Sequence, residues 1–327
     1  MKLTVARAGF STTVQDRGRF GSRQLGVSIS GALDPHSLRV VNLLAGNDEN
    51  AAGLEFTSGN VRLRFDDQRL IAWCGGEYEV VASGHAIPAG HVAVLWAGDE
   101  LLIGGPRRGC RGWLAISGGI DVSPVLGSRA TDLRAKFGGY DGRVLRDGDA
   151  LPLGENSRRA EGWIRKLSGN RVAPWSAPYD WTNPARDEPV LRVVPGADWP
   201  GFEASAHRDL TNHEFTVLPA SDRMGARLEG PQLKRTDNAD LLSEAVAPGT
   251  IQVPPNGHPI LLLGDCQTIG GYPKIAHVIT VDLAAAAQLC AGGRLHFSPI
   301  SLADAHRLLF ERECEWELFR TGLMLHA

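Results

Sequence analysis

Short apolar runs separated by turn residues are the feature that most limits the folds open to this chain. Runs of about five residues bounded by Gly, Pro and Asp predict strands joined by tight turns. With 39 Gly and 19 Pro in 327 residues, the sequence predicts a mainly β protein with a few helices. The turn pattern at Gly98-Asp99 returns at Gly148-Asp149 and, more weakly, at Gly292-Gly293, which suggests a barrel-like plan shared by both halves. Between residues 51 and 153 the runs are 61–65, 70–74, 78–82, 92–96, 101–104 and 112–117.

The stretch from residue 242 to 278 carries the sharpest local prediction. Two β-like runs, 250–253 and 259–264, are joined by Pro254-Pro255-Asn256-Gly257. Asn-Gly between such runs predicts a hairpin, since both residues tolerate a positive φ. The second run is apolar throughout and predicts a strand buried on both faces.

Polar side chains crowd the end of that buried strand. Asp265 follows the strand directly, and Gly270-Gly271 would let a ligand approach the backbone closely. A rigid strand end with such groups is a candidate functional site. The alternative is a tight turn at Gly270-Gly271-Tyr272-Pro273 without a function. The other polar members of this stretch are Gln267, Thr268 and Lys274.

Helix signals are few. Asp34 precedes Pro35 and an apolar stripe, so it predicts an N-cap, with a catalytic role as the alternative. Asp282 is predicted to cap a helix over 283–289, and Ser301 a longer one through about residue 319.

Composition narrows the functional classes. A net charge of −3 and a pI near 6.4 give no general attraction for nucleic acid or an anionic membrane. No run reaches the ~20 apolar residues that span a bilayer, and the N-terminus lacks the apolar core of a signal peptide. The five cysteines form no C-x-x-C, so we expect neither a zinc site nor disulfides and predict no metal site. A cytoplasmic location is the expectation.

Residues 155–188 differ in composition from the runs on either side and predict the crossing between two domains. This segment holds Trp163, Trp175 and Trp181 among prolines and basic residues, so we expect it to pack onto a barrel. The predicted domains are 1–188, including this crossing segment, and 189–327. In the second, Arg223 and Arg227 stand close to acidic residues, as a surface ion-pair cluster or as clamps for carboxylate or phosphate.

Six segments spread over nearly the whole chain carry a family likeness. They are TTVQDRGR (12–19), GALD (31–34), WLAISGGI (113–120), LGSRATDL (126–133), SDRMGARLEG (221–230) and SEAVAPGTIQVPPNGHPILLLGDCQTIGGYPKIAHV (243–278). With these segments the sequence resembles the KipA-like family, also called allophanate hydrolase subunit 2 or the C subunit of bacterial 5-oxoprolinase. It departs from the family pattern at Cys266, Ile269 and His277, where arginine, threonine and threonine are usual.

The resemblance implies a pair of cyclophilin-like β-barrel domains. It also implies a small-molecule amide substrate and partners: a KipI-like subunit, with which a composite site forms, and a LamB/YcsF-like subunit. Together such subunits cleave 5-oxoproline to glutamate with ATP, and Mg would accompany ATP at a site shared with the partners. Two alternatives stay open. One is the carboxyltransferase of a biotin-dependent urea or amide carboxylase, the only case that calls for biotin. The other is a regulator that binds a KipI-like kinase inhibitor.

Lactam cleavage with ATP needs cations for phosphate charge, donors for an oxyanion and a carboxylate for a proton. We assign catalytic roles to Asp265 or Glu244 as acid/base, to Lys274 as a clamp and to Tyr272 as a donor. The substrate- or nucleotide-binding residues are predicted to be Arg223, Arg227, Gln252, Gln267, Thr268, Gly270, Gly271 and Asp34.

Overall fold

The structure, a computed structural model, describes residues 1–167, 169–237 and 241–325. The chain divides into two units. The first comprises residues 1–19, 30–185 and 317–327, and the second comprises 20–29 and 186–316. The prediction of a mainly β protein is confirmed, and the predicted bounds 1–188 and 189–327 stay a prediction.

The first unit is built on one large sheet. Its central pair is β5 (Arg69–Ala82) and β8 (Glu100–Ile116), which run antiparallel over most of their length. The path through the sheet is β10-β7-β5-β8-β4-β1-β9, with β3 added beside β8, β2 beside β3 and β6 beside β5. The remaining strands are β1 (Lys2–Arg7), β2 (Ser11–Gln15), β3 (Gly53–Thr57), β4 (Val61–Phe65), β6 (His85–Ala86), β7 (His91–Leu95), β9 (Ala150–Pro152) and β10 (Val172–Ser176).

Three helices accompany this sheet: α1 (Pro35–Leu44), α2 (Arg158–Lys166) and α3 (Tyr179–Thr182). Asp34 is the N-cap of α1, as predicted, because its carboxylate accepts the backbone N–H of Ser37 at 3.0 Å. The tryptophan-rich segment supplies α2, β10 and α3. Trp163 is fully buried and meets Trp175 edge-on, with ring centroids 5.3 Å apart.

The second unit is a closed barrel in the order β11-β18-β15-β16-β13-β12-β19. Parallel pairing of β19 with β11 closes it, with Leu191 opposite Phe297. Phe215 and Phe297 fill the interior, their ring centroids 5.6 Å apart. The barrel strands are β11 (Val190–Pro195), β12 (Phe215–Val217), β13 (Gly225–Glu229), β15 (Thr250–Gln252), β16 (Ile260–Leu262), β18 (Lys274–Val278) and β19 (Arg294–Pro299).

A two-stranded ribbon lies outside the barrel order. It pairs β14 (Glu244–Ala245) with β17 (Ile269–Gly270), with Glu244 opposite Gly270. The helices of this unit are α4 (Ala204–Asn212), α5 (Leu283–Ala286) and the first part of α6 (Leu302–Leu325), whose residues from Glu317 onward belong to the first unit.

The predicted hairpin is confirmed in pairing and changed in its turn. β15 and β16 run antiparallel, with Gln252 opposite Ile260. Only Gly257 adopts a positive φ, 77°, and its N–H donates to the carbonyl of Pro254 at 2.9 Å. Since seven residues separate the strands, the connection does not need the two-residue Asn-Gly turn.

Two helix predictions need correction. The helix after Asp282 ends at Ala286 instead of residue 289, and Asp282 makes no cap hydrogen bond. Its carboxylate accepts the backbone N–H of Arg192 at 2.7 Å and the Nε of Arg192 at 2.9 Å, so a tertiary ion pair replaces the cap. The helix after Ser301 runs to Leu325, beyond the predicted end.

Candidate functional site

The segment from Leu263 to Lys274 leaves the barrel after β16 and returns to it at β18. Its first polar residue, Asp265, accepts two hydrogen bonds from Arg223: Nε at 2.7 Å and Nη2 at 3.2 Å. Both side chains are largely buried. Residue type predicted separate roles for them, as base and phosphate clamp. The structure brings them together as a bidentate ion pair that fixes the start of the segment.

Arg227 stands apart from this pair. It is exposed on β13 and borders a separate small cleft of about 120 Å³ together with Pro254 and His258. The structure therefore does not bring Arg227 to Asp265 or Lys274, although it follows Arg223 closely in the chain.

Lys274 closes the segment at the start of β18. Its side chain is only 6 % exposed, and its Nζ lies 2.9 Å from an oxygen of Glu244 and 3.1 Å from an oxygen of Asp198. Burial alone would lower the pKa of Lys274, but the hydrogen bonds and charges of Glu244 and Asp198 outweigh it and raise the pKa. Lys274 is therefore a firmly protonated cation between two carboxylates.

Asp198 is a member of the site that the sequence did not indicate. It belongs to the turn after β11, and the same oxygen that meets Lys274 Nζ accepts the backbone N–H of Lys274 at 2.8 Å. Gly196 of that turn lies against the carbonyl of Lys274, where a Cβ would stand 2.2 Å from the oxygen. In the chain, 76 residues separate Asp198 from Lys274, and no spacing rule connects them.

Two glutamines hold the middle of the segment. Gln252, which is 1 % exposed, donates its Nε2 to the carbonyl of Tyr272 at 3.1 Å. Its Oε1 accepts the Nε2 of Gln267 at 3.2 Å. Both residues predicted as substrate contacts are thus brought to the site, where they support its backbone. The Tyr272 side chain stays 46 % exposed, so its phenol is accessible to a ligand.

Gly270 is needed for space, and Gly271 lies in a tighter than usual environment. Gly270 is part of β17, so the tight turn considered as the alternative is absent at this residue. A Cβ on Gly270 would lie 2.7 Å from Gln252 Nε2, and one on Gly271 would lie 3.2 Å from Ser243 Oγ. Close packing against the buried glutamine therefore explains Gly270.

Arg23 joins the ribbon to the segment. Its Nη2 donates to the carbonyl of Val246 and, at 3.3 Å, to that of Thr268. These carbonyls follow β14 and precede β17, so one guanidinium holds both strands. Thr268 itself is buried. The sequence showed Arg23 among glycines and arginines of an N-terminal loop, and nothing in its spacing points to residue 268.

Cys266 and His277, two departures from the family pattern, lie near this cluster, the cysteine buried and the histidine half-buried. Burial raises the pKa of the Cys266 thiol to about 11, although the charge of Arg23 acts in the opposite direction. Burial, together with the charge of Lys274, lowers the pKa of His277, whose Nδ1 lies 3.2 Å from the hydroxyl of Thr250. A neutral thiol and a neutral imidazole therefore stand beside the charged cluster at neutral pH.

A cleft of about 620 Å³ opens beside the segment. Gly271, Tyr272 and Pro273 form one of its walls. The turn at residues 254–257 and the stretch 232–235 form others. Apolar and proline side chains alternate here with the charged groups of Lys234, Arg235 and Glu203. A concave, mixed wall of this kind suits a small polar ligand with a hydrocarbon part.

Asp34 belongs to the first unit and is 2 % exposed. Besides capping α1, it accepts the hydroxyl of Ser37 at 2.5 Å. The capping role is therefore observed, and the ligand-binding role stays a prediction.

Two of the three cations predicted for phosphate, Arg223 and Lys274, do not stand open, whereas the third, Arg227, is exposed but lies apart from them. In the described residues, Arg223 is committed to Asp265 and Lys274 to Asp198 and Glu244. Taken alone, this segment does not fit ATP phosphates, and a nucleotide would need cations from elsewhere.

Three side chains of types that bind metals come together at another place in the second unit. Glu188, Glu214 and His296 bring their ligand atoms within 4.8 Å of one another in the part of the chain that the structure describes. Arg294 pairs with Glu188 and lies 3.5 Å from Glu214, so a guanidinium already supplies the positive charge.

The helices give no sign of a membrane span. Across residues 1–167, 169–237 and 241–325, no helix has the length and apolar character needed to cross a membrane.

Comparison with known protein families and sequences finds relatives that agree with one another. The family described as carboxyltransferase domain, subdomain A and B, matches residues 25–299. The C subunit of 5-oxoprolinase from Escherichia coli is 41 % identical over 93 % of this chain and 93 % of its own length. That of Haemophilus influenzae is 36 % identical over 92 % of each chain. Urea amidolyase of Lachancea kluyveri is 29 % identical over 97 % of this chain but only 18 % of its own length.

Solved structures agree with these relatives. The crystal structure of TTHA0988 has a TM-score of 0.78 and 34 % identity, covering 91 % of this chain and 55 % of that one. The chain therefore spans about half of TTHA0988. Kluyveromyces lactis urea carboxylase has a TM-score of 0.88 and 27 % identity, covering 98 % of this chain and 29 % of that one.

Proposed function

The chain belongs to the family of carboxyltransferase domains, subdomain A and B, and on that basis we propose that it is the C subunit of an ATP-dependent 5-oxoprolinase. One observation carries this proposal. The match to the 5-oxoprolinase C subunit of Escherichia coli covers 93 % of both chains at 41 % identity. A relative of the same length and plan is a better guide to function than a large enzyme that shares one part.

A carboxyltransferase acting with biotin on urea or another amide is the second candidate. It is supported by the TM-score of 0.88 with the Kluyveromyces lactis urea carboxylase. The match to urea amidolyase, however, covers only 18 % of that protein at 29 % identity. The 5-oxoprolinase C subunit has both the higher sequence identity and the larger share of its own length matched, which favours 5-oxoprolinase.

In the proposed reaction the lactam of 5-oxoproline is opened to glutamate at the expense of ATP. We place the ring in the 620 Å³ cleft, against Pro254 and Pro273, with the Tyr272 phenol able to donate to the carbonyl oxygen of the lactam. ATP, when bound with Mg, would activate the amide. Because Arg223 and Lys274 are paired within this chain, we assign the cations for its phosphates to a partner. The partners proposed are a KipI-like and a LamB/YcsF-like subunit.

The test is glutamate release from 5-oxoproline and ATP by this chain mixed with both partners, with each protein omitted in turn. We expect release only from the complete mixture, because the catalytic groups are divided among the subunits. Release that persists without this chain would overturn the proposal. Failure of the complete mixture, together with carboxyl transfer from carboxybiotin to urea, would favour the second candidate.

A further inference from the structure

Asp198 and Lys274 are joined more closely than an ordinary ion pair requires. One carboxylate oxygen of Asp198 accepts both the backbone N–H of Lys274, at 2.8 Å, and its ammonium, at 3.1 Å. Through these two contacts the Asp198 carboxylate fixes both the main chain and the side chain of Lys274. Gly196 permits this approach, since any Cβ there would overlap the Lys274 carbonyl.

Glu244 forms a second ion pair with the same Lys274 ammonium. The side chain of Glu244 is 62 % exposed, whereas that of Lys274 is 6 % exposed. Among the described residues, Lys274 is its ion-pair partner. Backbone pairing places Glu244 opposite Gly270, which directly precedes in sequence the cleft-lining residues Gly271 and Tyr272. Solvent can therefore reach the Glu244 carboxylate, and its ion pair with Lys274 orients it.

The charges decide which of the three groups can move a proton. Lys274 is held protonated by two carboxylates, which raise its pKa, so it serves neither as a base nor as a nucleophile. Asp198 is committed to two donors of Lys274. Glu244 keeps an exposed side chain that a substrate or a water molecule can reach. The arrangement of a base, an orienting group and a half-buried supporting group is one that acid–base sites use.

We propose that Glu244 is the proton-transferring carboxylate of this site, and that Asp198 is a positioning residue that acts on it through Lys274. The inference rests on the proposed function. ATP, as co-substrate, would place a phosphoryl group on the lactam oxygen. Glu244 accepts the proton that water loses as its oxygen bonds to that activated carbon, and it returns the proton to the ring nitrogen when the C–N bond breaks, which regenerates the carboxylate. A second water then releases the phosphate and leaves glutamate. Lys274 is thereby reassigned from a phosphate clamp to the group that orients Glu244.

The test compares Asp198→Ala and Asp198→Asn in the complete enzyme. We expect kcat to fall about 10- to 100-fold for alanine with KM nearly unchanged, because misplacement of a base affects the chemical step. Asparagine keeps an oxygen that accepts the Lys274 N–H, so it should recover part of kcat. Asp209→Asn, on α4 of the same unit, is the matched control and should leave both constants unchanged.

A second measurement on the chain alone separates this inference from the proposed function. The ¹⁵N-labelled ammonium of Lys274 should exchange its protons slowly with water in the wild type, and at least about tenfold faster in Asp198→Ala. Equal exchange rates in the two chains would overturn the positioning role even if the complete enzyme were inactive. Unchanged kcat in Asp198→Ala would overturn it in an active enzyme. An inactive wild-type complex with the expected exchange difference would refute only the proposed function.

Discussion

At the scale of single residues, the ion pair of Arg223 and Asp265 differs most from what the sequence suggested. Residue type predicted Asp265 as a base, and it left Arg223 as either a clamp for a ligand or a member of a surface ion-pair cluster. Burial instead commits the guanidinium to the carboxylate through two hydrogen bonds. A charged residue type indicates that a charge is present, but its partner depends on tertiary contacts that a sequence pattern does not contain.

Removing one member of this pair should destabilise the protein. In Arg223→Ala the Asp265 carboxylate would be left buried without its donor, so we expect the free energy of unfolding to fall by about 3 kcal/mol or more. Urea unfolding followed by circular dichroism measures this change. Arg307→Ala is the matched control, because its ion pairs with Asp304 and Glu311 are exposed on α6. An unfolding midpoint equal in the two variants would contradict the structural role given to Arg223.

At the scale of secondary-structure elements, local patterns located strands but divided the two longest, and they did not predict the ribbon. The runs 70–74 and 78–82 both fall on β5, and the runs 101–104 and 112–117 both fall on β8. The turn residues at 254–257 predicted the β15–β16 hairpin, and Asp34-Pro35 predicted the start of α1. β14 and β17 have two residues each, too few for a periodic signal, and they pair residues that lie far apart in the chain. Their position depends on Arg23, which is still further away in the chain.

The ribbon should therefore loosen when Arg23 is removed. In Arg23→Ala the carbonyls of Val246 and Thr268 lose their common donor, so we expect amides of residues 244–246 and 268–270 to exchange hydrogen about tenfold faster. Hydrogen exchange with mass spectrometry measures this, and the barrel strands β11 and β19 provide an internal reference. Arg7→Ala, an exposed arginine of β1, is the control. Unchanged exchange in the ribbon would show that strand pairing alone holds it.

At the scale of the whole molecule, the short runs and frequent turns predicted the β class, and the closure of the barrel needed the structure. Parallel pairing of β19 with β11 joins strands from opposite ends of the second unit, and periodicity gives no register for such a pair. The candidate segment 263–274 was located because its polar residues are contiguous in sequence. Asp198 and Arg23 were missed because they reach the segment only through the fold.

The central claim is that this segment, with Glu244, carries out proton transfer in a 5-oxoprolinase. The most direct measurement is the rate of glutamate release by the complete complex assembled with Glu244→Gln. Glu311→Gln, an exposed glutamate on α6, is the matched control. The account predicts a loss of at least about 100-fold in kcat for Glu244→Gln, with complex assembly unchanged and the control at the wild-type rate. A wild-type rate for Glu244→Gln would contradict it.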